Sequence, residues 1–342
     1  MVTSETLPVI ALTMGDPAGV GPEIIVKALS HRDLRRRARY LVLGDAEIMR
    51  RAAAGTDSGL LVEVVDGPLS VGSDPGRIYV QDLRNVAPEQ FAYGRLSAMC
   101  GRAAFEAIEA AIDLANEKRV AAVVTAPLNK EALRLAGIEH AGHTEIFAKK
   151  TDTRDYAMML AEGDFRVVHV STHVSLREAI ERTKKPRVRA VIELAHNALK
   201  KLGIEDPRIA VAGLNPHAGE NGLFGTEEID EIIPAIEEAK KDGRNVDGPI
   251  PPDTVFSKMQ GGQYDIVVVM YHDQGHIPTK LAGFKYDRET NTWLSMSGVN
   301  VTLGLPIIRS SVDHGVAFGK AGEGRANEES MIQALEMAVR LV

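Results

Sequence analysis

The sequence predicts an α/β protein of about two domains. Short Val- and Ile-rich runs alternate with longer amphipathic segments, and 342 residues exceed one comfortable core. Strand–helix alternation of this kind builds a largely parallel sheet with crossover helices.

Six strands are expected, in order. "PVIALT" (Pro8 to Thr13) and "YLVLG" (Tyr40 to Gly44) open the chain, and "VAAVVTAP" (Val120 to Pro127) follows. "FRVVHVST" (Phe165 to Thr172), "RIAVAGLN" (Arg208 to Asn215) and "DIVVVMY" (Asp265 to Tyr271) complete the set. Each is apolar on both faces, as strands of a covered parallel sheet are. Helical periodicity marks Leu96 to Asn116, Pro186 to Leu202 and Thr226 to Asp242, the last with Thr226 as a cap before acidic residues that suit the helix dipole.

Composition narrows the partners. Hydrophobic residues at 44% and charged residues at 25% are ordinary globular values. A net charge of −7 disfavours nucleic acid or an anionic membrane, so any anionic ligand needs locally placed cations. The single cysteine, Cys100, excludes an internal disulfide and a cysteine-based zinc site, and reads as a small apolar residue of its helix. No run reaches the roughly 18 apolar residues of a membrane span, and the amino terminus has no basic leader before a hydrophobic block. A cytoplasmic protein is expected.

Polar clusters follow five strands: "MGDPAGVGPEI", "LNKEALRLAGIEHAGHTEIFA", "STHVSLREA", "NPHAGENGLFGTEEID" and "HDQGHIPTKL". Their repetition points to one functional edge at the carboxyl ends of the strands. His173, His217 and His272 each lie just beyond a strand. Three such imidazoles suit zinc or another divalent ion, and the alternative is three satisfied structural residues. His272 and His276 are four apart, but Gly275 and Pro278 argue against a regular helix, and the base of a zinc protease is missing. A helix starting near Thr144 would offer His143, a hydroxyl and free amides to a phosphate or carboxylate, or simply be capped. Lys280 and Arg309 are cations beside apolar segments, able to clamp an anion if they face the site. There is no P-loop, and "AGVG" (Ala18 to Gly21) is not the dinucleotide fingerprint. "DHGVAFGKAGEGRANE" (Asp313 to Glu328) reads as a glycine-rich connection.

In this order, "TMGDPAGVGPE", "TAPLNK", "AGHTE", "GLNPHAGE", "YHDQGHIPTKL" and "GVNVTLGLPIIRSSVDHGVAF" closely resemble the 4-hydroxythreonine-4-phosphate dehydrogenase family of vitamin B6 biosynthesis. The resemblance spans about Leu12 to Asn327. It implies the two-domain α/β/α fold of isocitrate and isopropylmalate dehydrogenases, with an active site in the interdomain cleft. The first domain would be discontinuous, 1–130 plus 305–342, and the second, 131–304, would carry most metal and substrate residues. The resemblance also implies a homodimer with shared active sites, NAD, and a divalent cation (Zn, Mg, Mn or Co). By matching motif positions, His173, His217 and His272 become metal ligands, and His143, Thr144, Lys280, Asn300 and Arg309 bind substrate. His314, Gly315, Ala317 and Asn327 fall on the cofactor side. Lys280 and Asp273 are the candidates for proton transfer.

Two departures separate this chain from the biosynthetic enzymes. "HIPTKL" stands where they carry apolar residues after "HDQG", and "KYDRETNTWLSMS" (Lys285 to Ser297) is inserted, patterned as a short hairpin around Trp293. These features resemble the branch that oxidises 4-phospho-D-threonate or 4-phospho-D-erythronate and, with decarboxylation, yields dihydroxyacetone phosphate. The alternatives are the biosynthetic dehydrogenase itself and, more remotely, a metal-dependent phosphatase. A periplasmic-type binding protein would need an export signal.

Overall fold

The computed structural model describes residues 7–139, 142–289 and 291–342. The first six residues of the amino terminus, His140 and Ala141 before "GHTE", Thr290 and the side chains of residues 292–296, Trp293 among them, lie outside that description. The chain divides into two compact units. One comprises Met1–Thr153 with Leu305–Arg340 and Val342; the other comprises Arg154–Gly304 with Leu341.

The first unit holds β1 (Val9–Thr13), β2 (Arg39–Gly44), β3 (Leu61–Val64), β4 (Arg77–Asp82) and β5 (Ala122–Thr125). The second holds β6 (Ala157–Glu162), β7 (Phe165–His169), β8 (Ile209–Ala212), β9 (Val246–Ile250), β10 (Ile266–Val269), β11 (Phe284–Asp287), β12 (Thr292–Met296) and β13 (Val299–Leu303). The chain then returns to the first unit with β14 (Arg309–Val312).

In the first unit the order is β3-β4-β2-β1-β5-β14, and the pairs are parallel. The chain moves outward from β1 through β2, then crosses back to place β5 on the other side of β1. That reversal is a switch point, where an open parallel sheet leaves a ligand crevice at its carboxyl edge. Ile10, Leu12, Leu41, Leu43, Val123 and Val124 are fully buried, which is why these runs lack polar alternation.

The first unit extends to Thr153, beyond the approximate boundary expected near residue 130. The helices Lys130–Leu135 and His143–Lys150 belong to it because of close packing on helix Ala98–Asn116. A Cβ on Gly101 would lie 2.1 Å from the Ala132 carbonyl oxygen, and Arg102 donates to the Ala136 carbonyl at 2.8 Å. Lys150 pairs with Glu109 across the same contact.

In the second unit the order is β13-β6-β7-β10-β8-β9. Here β7, β10, β8 and β9 run parallel, while β6 is antiparallel to both β7 and β13. This unit's sheet is therefore mixed, with three parallel and two antiparallel pairs, while the pairs of the first unit bear out the largely parallel expectation. The tight return at Gly163 (φ +56°) makes β6–β7 a hairpin, with only Gly163 and Asp164 between the strands. The insertion forms the expected hairpin, with β11 antiparallel to β12.

Two helix expectations change. Thr226 does not cap with its side chain; instead a π-helical turn, Glu228–Ile232, precedes helix Ile233–Lys241. And His272–Gly283 is a helix in spite of Gly275 and Pro278. Gly275 is required there by close approach, since a Cβ would lie 2.5 Å from His169 Nε2. Thr279 Oγ1 donates to the Gly275 carbonyl at 2.8 Å, adding a side-chain bond in the turn that Pro278 weakens.

Candidate active site

Two of the polar clusters gather in the first unit and three in the second, each set at one strand edge. In the first unit, "MGDPAGVG" leaves β1 and "APLNK" leaves the adjacent β5. Gly15 adopts φ +74°, and a Cβ there would lie 2.4 Å from the Pro127 carbonyl oxygen, so only glycine lets the two exits touch. Asp16 donates its main-chain N–H to that carbonyl at 2.9 Å. Its Oδ1 accepts from Ala18 N at 2.9 Å, while Oδ2 is buried without a partner. Burial raises the Asp16 carboxyl to about 6, with the Ala18 bond opposing.

Arg309 starts β14 beside β5 and is 2% exposed. Its guanidinium donates to Thr125 Oγ1 at 2.7 Å and lies 5.6 Å from the Phe147 ring centroid. Burial lowers its pKa to about 9, with Glu145 opposing, so it stays a cation at neutral pH. His143, first residue of helix His143–Lys150, is held neutral by burial and by neighbouring Arg309 and Lys130. Its Nε2 is buried with no partner. Thr144 follows in the first helical turn, half-buried. The structure thus brings Arg309 and His143 together around a buried positive charge suited to a phosphate or carboxylate.

The two glycine-rich stretches also meet in this unit. Val20 N donates to the Val316 carbonyl at 3.0 Å, and a Cβ on Gly19 would lie 2.9 Å from Val316 Cβ. A cavity of about 280 Å³ lies beside them, lined by Gly19, Glu23, Arg51, Tyr93, Gly322 and Gly324 among others. That volume is just under the usual range for small-molecule pockets. Of the four expected cofactor residues, none lines it. His314 Nδ1 bonds the Gly315 carbonyl at 2.9 Å, exposed Gly315 and left-handed Ala317 (φ +45°) lie along the same loop, and Asn327 Oδ1 caps Glu329 N at 2.8 Å.

In the second unit β7, β10 and β8 are consecutive neighbours, so His173, His272 and His217 leave the same edge. The His173 and His272 rings are 5.5 Å apart between centroids. Two imidazoles on one tetrahedral ion, with metal–nitrogen bonds of about 2.0–2.1 Å, would stand at a similar separation. His272 Nδ1 bonds Asp273 Oδ1 at 2.7 Å, a carboxylate partner of the kind that orients a metal-binding imidazole. That contact makes Asp273 an orienting group for His272. His217 is exposed on its own loop, and no group of three donors is assembled among the described residues. Of the three expected ligands, the structure brings together His173 and His272.

His217 opens a run of five left-handed residues, His217 (φ 53°), Ala218 (φ 55°), Gly219 (φ 81°), Glu220 (φ 43°) and Asn221 (φ 56°). Four are not glycine, and each such residue costs about 1–2 kcal/mol. Gln274 ties the exits of β10 and β8 together, accepting from Met270 N at 2.7 Å and donating to the Gly213 carbonyl at 2.8 Å.

Along helix His272–Gly283, His272, His276 and Lys280 share one face at four-residue spacing. His276 is 7% exposed, stacks on His272 with centroids 3.6 Å apart, and bonds the His272 carbonyl through Nδ1 at 2.9 Å. Lys280 Nζ lies 5.0 Å from the Phe284 ring centroid. Asn300, on β13, donates to Met158 Sδ at 2.8 Å, and its Oδ1 is buried without a partner.

Sequence reasoning missed His169, Asp16, Gln274 and Glu228. His169 is 1% exposed, bonds the Met158 carbonyl through Nδ1 at 3.0 Å, and is lowered to about 3 by burial and then by His276. Its signal was a histidine inside an apolar run; that of Asp16 was a carboxylate in a glycine-rich strand exit.

Comparison with known proteins decides the family. The model for the pyridoxal phosphate biosynthetic protein PdxA matches residues 36–338. The chain belongs to the PdxA family. It is 47% identical to a D-threonate 4-phosphate dehydrogenase of Salmonella typhimurium, covering 97% of this chain and 98% of the relative. It is 45% identical to one from Cupriavidus necator, covering 99% and 98%. A solved structure of a 4-hydroxythreonine-4-phosphate dehydrogenase from Klebsiella pneumoniae matches with TM-score 0.86 and 45% identity over 98% of each chain. PdxA-family relatives thus carry both substrate names.

Proposed function

We propose that the protein is an NAD- and divalent-metal-dependent dehydrogenase that oxidises and decarboxylates 4-phospho-D-threonate or 4-phospho-D-erythronate to dihydroxyacetone phosphate and carbon dioxide. The observation that carries this reading is near-complete coverage at 45–47% identity with two D-threonate 4-phosphate dehydrogenases. The insertion between helix His272–Gly283 and β13, with its β11–β12 hairpin, favours the same branch over the biosynthetic one.

In this reading Arg309 and His143 bind the anionic groups of the substrate, helped by Thr144. Arg309 is suited because a buried guanidinium is a planar cation whose donor fork matches the geometry of a phosphate or carboxylate. His173 and His272 hold the cation, with His217 as the further ligand. When bound, a divalent cation supplies Lewis acidity that lowers the substrate hydroxyl pKa and stabilises negative charge as carbon dioxide leaves. Asp273 keeps the His272 imidazole oriented through Nδ1. Lys280, on the His272 face, and Asn300 serve as substrate contacts, with Lys280 the candidate for moving the hydroxyl proton. Asp273 is assigned to orientation instead, because its carboxylate is already committed to His272. The loop carrying His314, Gly315, Ala317 and Asn327, with the neighbouring cavity, is assigned to NAD.

We infer a homodimer as well, since Ile277 and Leu281 are 64% and 82% exposed one turn apart on helix His272–Gly283. No helix among the described residues is long and apolar enough to cross a membrane.

The test is nicotinamide absorbance with 4-phospho-D-threonate, 4-phospho-D-erythronate and 4-phosphohydroxy-L-threonine under one metal and pH. A kcat/KM at least tenfold higher for either sugar-acid phosphate is expected. A preference for the amino substrate would return the protein to vitamin B6 synthesis, and phosphate release without NAD would make it a phosphatase.

A further inference from the structure

The left-handed run that carries His217 is unfavourable by itself, so something outside it must fix its start. Glu228, at the first turn of the π-helical segment, is 1% exposed. Its Oε1 accepts from the main-chain N–H groups of Leu214 and Asn215, both at 2.7 Å. Its Oε2 accepts from Asn215 Nδ2 at 2.9 Å, while that same amide also donates to Glu227 at 2.7 Å. Two successive main-chain N–H groups form an anion-binding concavity, and here the chain fills it with its own carboxylate. Glycines at 213 and 219 allow the fit, because Cβ atoms there would lie 3.2 Å and 2.8 Å from the Glu228 oxygens. The charge is thus spent on donors two and three residues before His217, with Pro216 stiffening the step between.

We propose that Glu228 is the positioning residue for His217: its buried carboxylate locks residues 214–215 and so holds the left-handed turn in the form that presents the imidazole to a divalent cation. This rests on the reading of His217 as a cation ligand. Glu228 touches neither cation nor substrate, and acts only through the main chain. A glutamine at 228 has nearly the same shape, but it loses the charge and turns an amide donor toward the Asn215 amide, leaving two donors facing each other.

The experiment uses the full-length protein with Mn²⁺ alone, titrated calorimetrically, beside amide hydrogen exchange over residues 213–222. Glu228→Gln should weaken Mn²⁺ binding roughly ten- to hundredfold, the usual effect of losing an outer-shell partner. It should also speed exchange in 213–222, with the thermal midpoint of the rest of the protein nearly unchanged. His217→Ala should weaken binding to a similar degree without accelerating exchange at 214 and 215. If Glu228→Gln binds Mn²⁺ like the parent while His217→Ala does not, the ligand reading stands and the positioning proposal is wrong. If both variants bind like the parent, the ligand reading fails and takes the proposal with it.

Discussion

Replacing Asp16 with asparagine tests whether burial controls a carboxyl group at the β1 exit. Asp16 is fully buried, with one main-chain bond to Oδ1 and no partner at Oδ2. Burial raises its pKa from 3.8 to about 6. At about 1.4 kcal/mol per pH unit, that rise corresponds to about 3 kcal/mol of lost stability once the group must ionise in the fold. The sign follows from proton binding. Between about pH 4 and pH 6 the unfolded chain has already released this proton while the folded chain keeps it, so stability falls as pH rises. The stabilising contribution is complete below pH 3.8 and gone above about pH 6. The asparagine side chain of the variant cannot titrate. The stability difference between Asp16→Asn and the parent should therefore shift in favour of the variant by about 2.4 kcal/mol between pH 4 and pH 7, the unfolded carboxyl being already partly ionised at pH 4. Any fixed cost of burying the new amide cancels in that comparison. Urea unfolding followed by circular dichroism at pH 4, 5, 6 and 7 measures it. A difference that stays flat across the series would mean that Asp16 ionises at its ordinary value, and the burial argument would be wrong.

Arg309→Lys should lower kcat/KM for the phosphorylated substrate by roughly ten- to hundredfold, mostly through KM, because a point charge cannot replace a fork of donors; steady-state kinetics check this, and an unchanged kcat/KM would remove Arg309 from the site. Gly275→Ala should destabilise the protein by about 1–3 kcal/mol, since its Cβ would overlap His169 Nε2, and a thermal midpoint equal to the parent's would refute the packing. His173→Ala and His272→Ala should each abolish divalent-cation binding by calorimetry while leaving the folded signal intact; full turnover after chelation and dialysis would count against a metal altogether. Cys100, 1% exposed and pushed up to about 11 by burial, should resist a thiol reagent at pH 8 until the protein is unfolded, whereas rapid labelling would contradict its placement in helix Ala98–Asn116.

Much was determined by sequence alone, because it depends on residues close together in the chain. Each of the six expected runs contains a strand, from β1 to β10, because an apolar Val/Ile run bounded by glycine or polar residues is a local property. The β11–β12 hairpin was legible for the same reason, from alternation after a turn-forming "DRETN". Residue types at strand exits also marked His173, His217 and His272 before any geometry was known. The tertiary structure decided which of these meet. His173 and His272 are neighbours only because β7 pairs with β10, strands separated by about a hundred residues, and nothing local encodes that pairing. The helix at 272–283 forms in spite of its Gly and Pro, and the glycine is needed where it stands because the His169 ring occupies the space a Cβ would take. Arg309 looked like any basic residue beside an apolar run, and its burial against Thr125 and Phe147 comes from β14 lying next to β5. Local periodicity sets what each segment becomes; burial and close approach between distant segments set which side chains share a site, because that free energy belongs to contacts the linear chain does not contain.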